Sequence, residues 1–433
     1  MNFKIKGGKK LKGEITTNTA KNSAVALLCA SLLNKEKTIL EKMPRIEEVN
    51  RITEVLKSIG VKLNWLDKHT LEIKPPKKID IKKIDKKAAM RTRSIILLLG
   101  VLIHEFKEFK LPQAGGCKLG ARTVKPHFFA LENLGVDIKT KEKYYKIEHK
   151  GLKNNKIVLY EAGDTVTENA IMAASKIPGK TTIKKASANY QVQDLCNFLT
   201  KLGVKIKGIG TTTLKVYGKK ELKKSLKYQM TEDPIESMLF ISAAVTTNSK
   251  ITINRCPIEF LELELLKLEK MGLKFKLTKP YLSNNDFTQL VDITVYPSNL
   301  KALDEKIAPR PFPGINIDNL PFFVPIATRA KGETLIHDWV YENRAIYYTE
   351  LKKLGADIIL ADPHRFYVKG KVNLKPAEII APPALRPAAI ILIAMLAAPG
   401  ESILRNVYSI RRGYEALAKR LKKSLGAQIE KID

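Results

Sequence analysis

The residues best suited to chemistry are gathered in one short segment, Pro112-Gln113-Ala114-Gly115-Gly116-Cys117-Lys118-Leu119-Gly120-Ala121-Arg122. Two glycines before the cysteine and one after it predict a loop whose backbone can approach a ligand closely, with the thiol at its tip. Lys118 and Arg122 would favour the thiolate. A lone cysteine is ordinarily inert and buried, which is the reading for Cys29 and Cys196; the setting of Cys117 reverses it. Elsewhere, charged and polar residues stand at the starts of strongly apolar segments: Lys21-Asn22, Arg91 and Arg93, Thr165 to Glu168, Asp233 to Glu236, Asp318 and Arg386. If those segments are helices, their free N–H groups and positive dipole ends join the cationic side chains in an anion trap.

Taken singly, a lysine or arginine beside an apolar helix is ordinarily a snorkelling surface residue, and an aspartate at a helix start an N-cap. Recurrence at equivalent places makes them a candidate site. His127 reads as a structural hydrogen-bond partner at a helix start, and His69, His104, His149, His337 and His364 form no ligand spacing. The four cysteines, Cys29, Cys117, Cys196 and Cys256, show no CxxC or paired spacing, so reduced thiols and no metal site are expected.

The apolar segments are 23–33, 94–103, 168–177, 235–245, 320–330 and 387–396. Each is apolar on nearly all sides and predicts a buried helix. A strand-like run follows each, at 37–40, 180–183, 250–253, 333–336 and 401–404, with 107–111 the irregular member. A second, amphipathic helix then closes on a recurring phrase, a leucine and an apolar residue ahead of glycine: Leu56 to Gly60, Leu131 to Gly135, Leu199 to Gly203, Leu268 to Gly272, Leu351 to Gly355 and, one residue longer, Leu421 to Gly426. The glycines lie 75, 68, 69, 83 and 71 residues apart, and each ends its helix before an alternating strand such as Val204-Lys205-Ile206. This sixfold repeat predicts an α/β protein of two inside-out, barrel-like domains, each of three repeated units with buried helices and outer sheets. A helix apolar all round cannot face water, whereas an alternating strand can. Short crossovers near 17–20 and 230–233 place one domain at 21–231 and the other at 1–20 plus 232–433.

The 433 residues carry 76 Lys and Arg against 44 Asp and Glu, a net charge of +32. Such an excess suits a polyanion or steers phosphorylated substrates, but the lysines are spread along the whole chain without an RNA-binding signature, which reads as a solvated basic surface. The start, Met1-Asn2-Phe3-Lys4-Ile5-Lys6, lacks the apolar core of a signal peptide, and the apolar runs fall short of the roughly 20 residues that span a bilayer. A cytoplasmic protein is expected.

Three sequences together, Ala20-Lys21-Asn22-Ser23-Ala24, Gly115-Gly116-Cys117-Lys118-Leu119-Gly120-Ala121-Arg122 and Glu342-Asn343-Arg344, resemble the UDP-N-acetylglucosamine 1-carboxyvinyltransferases, the enolpyruvyl transferases of peptidoglycan synthesis. The similarity runs over essentially the whole chain, to Arg412-Gly413-Tyr414-Glu415. The resemblance implies transfer of the enolpyruvyl group of phosphoenolpyruvate to the 3-hydroxyl of UDP-N-acetylglucosamine with release of phosphate. No cofactor or metal is expected, and neither nucleic acid nor membrane is required. Such an addition and elimination needs cations for phosphate and carboxylate, an acid for the methylene and a base for the sugar hydroxyl. By resemblance, Lys21, Arg122, Arg386 and Arg412 are the cations, Cys117 the proton donor and fosfomycin target, and Asp318 the base. Asn22 and Arg93, rather than Arg91, fall to the acceptor sugar; Thr123, Val124, Lys125, Pro126, Asp164, Thr165 and Val340 are implied in substrate binding.

Several positions depart from the family pattern. Arg122-Thr123-Val124-Lys125-Pro126-His127 stands where Arg-Pro-Val-Asp-Leu-His is usual, Gly163-Asp164-Thr165-Val166-Thr167 where Ser-Val-Gly-Ala-Thr is usual, and Arg411 in place of an aspartate. The approach to Asp318, Phe312-Pro313-Gly314-Ile315-Asn316-Ile317-Asp318, is longer than the family's Phe-Pro-Thr-Asp. The alternatives are a sister enzyme with another acceptor, such as 3-phosphoshikimate, and a non-catalytic polyanion binder.

Overall fold

The computed structural model describes residues 1–115 and 123–433. Contacts divide them into two compact units, a terminal unit of 1–18 and 232–433 and a middle unit of 19–115 and 123–231. Each unit holds three β-sheets.

In the middle unit the inner helical segments are Lys21–Ala30, Arg93–Leu102 and Asp164–Ser175. The first packs on the second, and the second on the third. In the terminal unit Pro234–Thr246, Leu320–Ala327 and Leu385–Ala397 pack on one another, and all of Pro234–Thr246 is buried. The outer helices are amphipathic. Leu417–Leu425 buries only Leu417, Leu421 and Leu425, spaced one turn apart, and leaves its lysines outward. The glycines that close the six outer helices, Gly60, Gly135, Gly203, Gly272, Gly355 and Gly426, all have positive φ, from 69° to 98°.

Each sheet contains the strand that follows an inner helix, inside four of the sheets and at the edge of the two three-stranded ones. In the middle unit Leu226–Gln229, from the unit's end, adds parallel to Thr38–Glu41 at its start, so the repeat closes on itself. In the terminal unit Asn2–Gly7 lies antiparallel between Gly400–Arg405 and Gln428–Ile432, and Lys12–Thr16 pairs parallel with Lys250–Pro257. The chain's first strands are thereby built into sheets of its last repeats.

Two inner segments are not continuous α-helices, as 94–103 and 320–330 were expected to be. Arg93–Leu98 is a 3-10 turn and Leu99–Leu102 a single α turn. The cause is Asn169, on the neighbouring inner helix, whose amide stands inside the ladder. Its Nδ2 donates to Ile96 O at 2.9 Å and its Oδ1 accepts from Gly100 N at 2.9 Å, intercepting the pair that would bond each other in an α-helix. A Cβ at Gly100 would stand 2.5 Å from Asn169 O, so only glycine allows this approach. In Leu320–Ala327, Pro321 and Pro325 remove backbone donors and confine the α portion to Phe323–Ala327.

Candidate active site

In the middle unit, Lys21 is the first residue of its inner helix, and the preceding Ala20 has no side chain to cap the free N–H groups. Asn22 follows, and its Nδ2 donates to the hydroxyl of Tyr190 at 3.0 Å. The amide of Tyr190 is capped by Asn189 Oδ1 at 2.9 Å, and Asn189 Nδ2 donates to Asp164 Oδ2 at 3.1 Å. Ser187 Oγ donates to the other oxygen, Asp164 Oδ1, at 2.5 Å. One hydrogen-bonded series therefore joins Asn22 to Asp164.

A second series begins one residue on. Thr165 Oγ1 lies 3.4 Å from His127 Nε2, and His127 Nδ1 accepts from Asn169 Nδ2 at 2.8 Å. Burial, then the Arg93 cation, push the His127 pKa down to about 3, so the ring is neutral and carries its proton on Nε2. The imidazole is thus the structural partner expected. Arg93 opens its segment behind the N-cap Thr92, and its Nη2 donates to Thr123 O at 3.0 Å; Arg91 is exposed. Thr123 Oγ1 accepts from Lys125 N at 3.2 Å, and Lys125 and Pro126 begin the helix that carries His127, just after Val124.

The helix Asp164–Ser175 also carries Glu168, named in the sequence with the other polar residues at the helix starts but given no role of its own. Glu168 is 1% exposed, and its Oε1 has no hydrogen-bond partner among the described residues. Burial raises its pKa well above the carboxylate range; the nearby Asp164 and Asp194 add to the rise and Lys21 opposes it.

In the terminal unit the charged groups gather about Asp318, held in an Asx turn by its backbone N–H to Asn316 Oδ1 at 2.8 Å. Arg386, on the first turn of its inner helix, places Nη2 3.2 Å from Asp318 Oδ2 and donates from Nη1 to the Tyr414 hydroxyl at 2.5 Å. Burial raises the Tyr414 pKa, against the Arg386 cation, so the phenol stays neutral. Arg412 lies two residues before Tyr414, half-buried, at the end of the helix Tyr408–Arg411. On the other side of Asp318 stands Arg344, 1% exposed, with Nη1 3.9 Å from Asp318 Oδ1. Asp338, 0% exposed, holds that guanidinium from Nε at 2.6 Å and Nη2 at 2.8 Å. Val340 is exposed nearby in sequence.

The structure therefore brings together Asn22, Asp164, Thr165, Arg93 and Thr123 in one unit, and Asp318 with Arg386 in the other. Cys117 and Arg122 lie outside the described residues. The remaining cysteines, Cys29, Cys196 and Cys256, are buried and free, and burial raises the pKa of each thiol, Cys256 to about 12. Among the described residues no His, Cys, Asp and Glu group could hold a metal ion. Sequence reasoning gave no role to Arg344, Asp338, Tyr190 or Asn169. Arg344 was visible inside Glu342-Asn343-Arg344, but nothing in the sequence pointed to Asp338 as its partner.

A family model for EPSP synthase (3-phosphoshikimate 1-carboxyvinyltransferase) matches residues 5–421. The chain is 35% identical over 428 residues to a UDP-N-acetylglucosamine 1-carboxyvinyltransferase of Treponema denticola, covering 98% of each chain. It is 34% identical over 432 residues to a protein of the same name from Thermodesulfovibrio yellowstonii, covering 99% of each. In fold it is similar to the enolpyruvyl transferase NikO from Streptomyces tendae, with a TM-score of 0.85 at 23% identity, over 99% of this chain and 98% of that one. An EPSP synthase from Acinetobacter baumannii gives 0.76 at 18% identity, over 99% and 100%. The architecture is thus that of the enolpyruvyl transferases. On the full-length sequence matches, the chain belongs to the EPSP synthase family.

Proposed function

We propose that the chain transfers the enolpyruvyl group of phosphoenolpyruvate to the 3-hydroxyl of UDP-N-acetylglucosamine, releasing phosphate, in the synthesis of peptidoglycan. The observation that carries this reading is end-to-end similarity, at 32–35% identity, to proteins bearing that transferase name. The work is done in the cytoplasm; among the described residues no helix is long and apolar enough to cross a membrane.

In the addition, Asp318 accepts the proton of the sugar hydroxyl as its oxygen bonds to the central carbon of phosphoenolpyruvate, and Cys117 protonates the methylene to a methyl group. In the elimination, the methyl group returns a proton, the carbon–oxygen bond to phosphate breaks, and an enol ether remains. Lys21, Arg122, Arg386 and Arg412 serve the phosphate and carboxylate charges. Asn22 and Arg93 serve the acceptor sugar, and Thr123, Val124, Lys125, Pro126, Asp164, Thr165 and Val340 line the remaining contacts. Support for the role of Asp318 comes from its neighbours: Arg386 orients one oxygen, and the other faces Arg344 beyond hydrogen-bonding distance.

Phosphate release from phosphoenolpyruvate by the purified protein, with and without UDP-N-acetylglucosamine, tests the proposal. Release that depends on the sugar nucleotide is expected. Release with 3-phosphoshikimate in its place would move the assignment to that acceptor, and no release with either would reject both.

A further inference from the structure

Arg344 stands between two carboxylates. Its Nε and Nη2 make a forked pair with Asp338 at 2.6 and 2.8 Å, and Nη2 also reaches Ile317 O at 2.9 Å. Only Nη1 points at Asp318, at 3.9 Å. Asp338 is itself fixed. Its backbone N–H donates to His364 O at 2.7 Å, its carbonyl accepts from His364 Nδ1 at 3.0 Å, and its Oδ2 accepts from the Tyr348 hydroxyl at 2.7 Å. A planar guanidinium gripped along one edge by a fully buried carboxylate cannot turn that edge elsewhere.

We propose that Asp338 is a positioning residue for the transfer: by holding Arg344 in a forked pair it keeps that guanidinium out of hydrogen-bonding reach of Asp318, leaving Asp318 able to accept the sugar proton. The proposal rests on the reading of Asp318 as the base. Without the Asp338 charge, Arg344 has no buried counter-ion, and its nearest carboxylate becomes Asp318. A tight pair there favours the ionised form of Asp318 and weakens it as a base. Among the described residues, charged and titratable groups facing this cluster include Arg344, Arg386, Tyr348 and Tyr414 about Asp318, Tyr341 beside Arg344, Asp233 and Glu236 near Tyr414, His364 about Asp338, and Glu264, which accepts from Asn316 N and Asn319 Nδ2 in the Asp318 turn.

The test is the pH profile of kcat. In Asp338→Asn, kcat on the plateau should fall about tenfold and the acid limb should move to lower pH by roughly half a unit or more. Arg344→Gln removes the cation and should move the limb the other way. Tyr348→Phe keeps both charges while removing one contact to Asp338, and its limb should stay in place. If Asp338→Asn does not fold, the double variant Asp338→Asn/Arg344→Gln, with no unpaired buried charge, carries the test: its limb should match that of Arg344→Gln, because Asp338 acts through Arg344, and a further shift overturns the positioning role. An unmoved limb in the folded variant, or a shift in Tyr348→Phe as large as that in Asp338→Asn, overturns the positioning role. Asp318→Asn run alongside separates the two claims. Full turnover there removes the base and this inference with it; loss of turnover with an unmoved Asp338→Asn limb removes the inference alone.

Discussion

Both units grow from the same threefold repeat, yet they furnish their inner helices with opposite kinds of polar group. The terminal unit gathers full charges: Asp318 has a guanidinium on either side, and Arg344 is shared with the buried Asp338. The middle unit's network surrounds one carboxylate, Asp164, with amides, hydroxyls and a neutral imidazole, joining Asn22, Tyr190, Asn189 and Asp164, then Thr165, His127 and Asn169, while its cation Arg93 donates to the carbonyl of Thr123. Glu168, a buried carboxyl of this unit, has its pKa raised by burial and by the neighbouring Asp164 and Asp194. The difference suits two tasks of the proposed reaction. Moving a proton requires a titratable group whose basicity is set by charges at fixed distances, whereas recognising a neutral sugar or base requires directional donors and acceptors of low net charge. One scaffold serves both because the repeat fixes helix positions without dictating what stands at their ends.

The sharpest way to break this comparison is Asp318→Asn. If the terminal cluster exists to move a proton, the variant should lose roughly 10²–10⁴-fold in kcat while folding normally. Phosphate release beside a thermal melt checks both parts. Loss of less than tenfold would mean that the charged cluster is structural, and the contrast between the units would lose its meaning.

Arg386→Met comes next. Arg386 is buried, pairs with Asp318 and donates to the Tyr414 hydroxyl, so its removal takes a partner from two polar groups at once. Turnover should fall about a hundredfold, and stability by roughly 2–4 kcal/mol in urea unfolding. A turnover loss without any loss of stability would show that the arginine contributes nothing to holding the cluster.

How much of this could be read in advance differs between the units. The six closing glycines and the apolar helices carry their own local signals, positive φ and all-round apolarity, so the architecture was legible. Asp318 and Arg386 were named through motif resemblance, and the structure pairs them at 3.2 Å. The partners were not. Asp338 meets Arg344 because the chain turns back just after the strand Gly332–His337, and six residues of separation carry no periodic signal. Asn169 interrupts the ladder of a helix some seventy residues earlier, and no local propensity in that helix announces a break supplied from outside it. Glu168, in the same way, was read as part of an apolar helix start; only the packed structure reveals the aspartates around it.

Asn169→Ala sharpens the middle-unit side. It would leave Ile96 O, Gly100 N and His127 Nδ1 without their partner in a buried setting. A loss of about 2–4 kcal/mol is expected in urea unfolding. Because His127 would lose the acceptor contact that fixes its tautomer, the KM for the sugar nucleotide should rise more than kcat falls. Equal changes in both would argue that this network does chemistry instead of recognition.

The smallest effect asks whether the middle unit is as neutral as it is drawn. Glu168 has its pKa raised on folding by burial and by Asp164 and Asp194, so the folded state binds its proton more tightly than the unfolded chain does. The sign follows: between the unfolded value, about 4.3, and the raised folded value, stability falls as pH rises, by up to about 1.4 kcal/mol per unit. Glu168→Gln keeps the shape and cannot ionise. Its unfolding free energy should match the parent near pH 4 and exceed it increasingly toward neutrality. His127 works in the opposite direction: its folded pKa near 3 removes stability as pH falls below about 6.5, in parent and variant alike, so it cancels in the difference. If the difference between Glu168→Gln and the parent is flat across this range, Glu168 is ionised beside Lys21 in the folded protein. The middle unit would then hold an ion pair of its own, and the division of labour drawn here would shrink to one of degree.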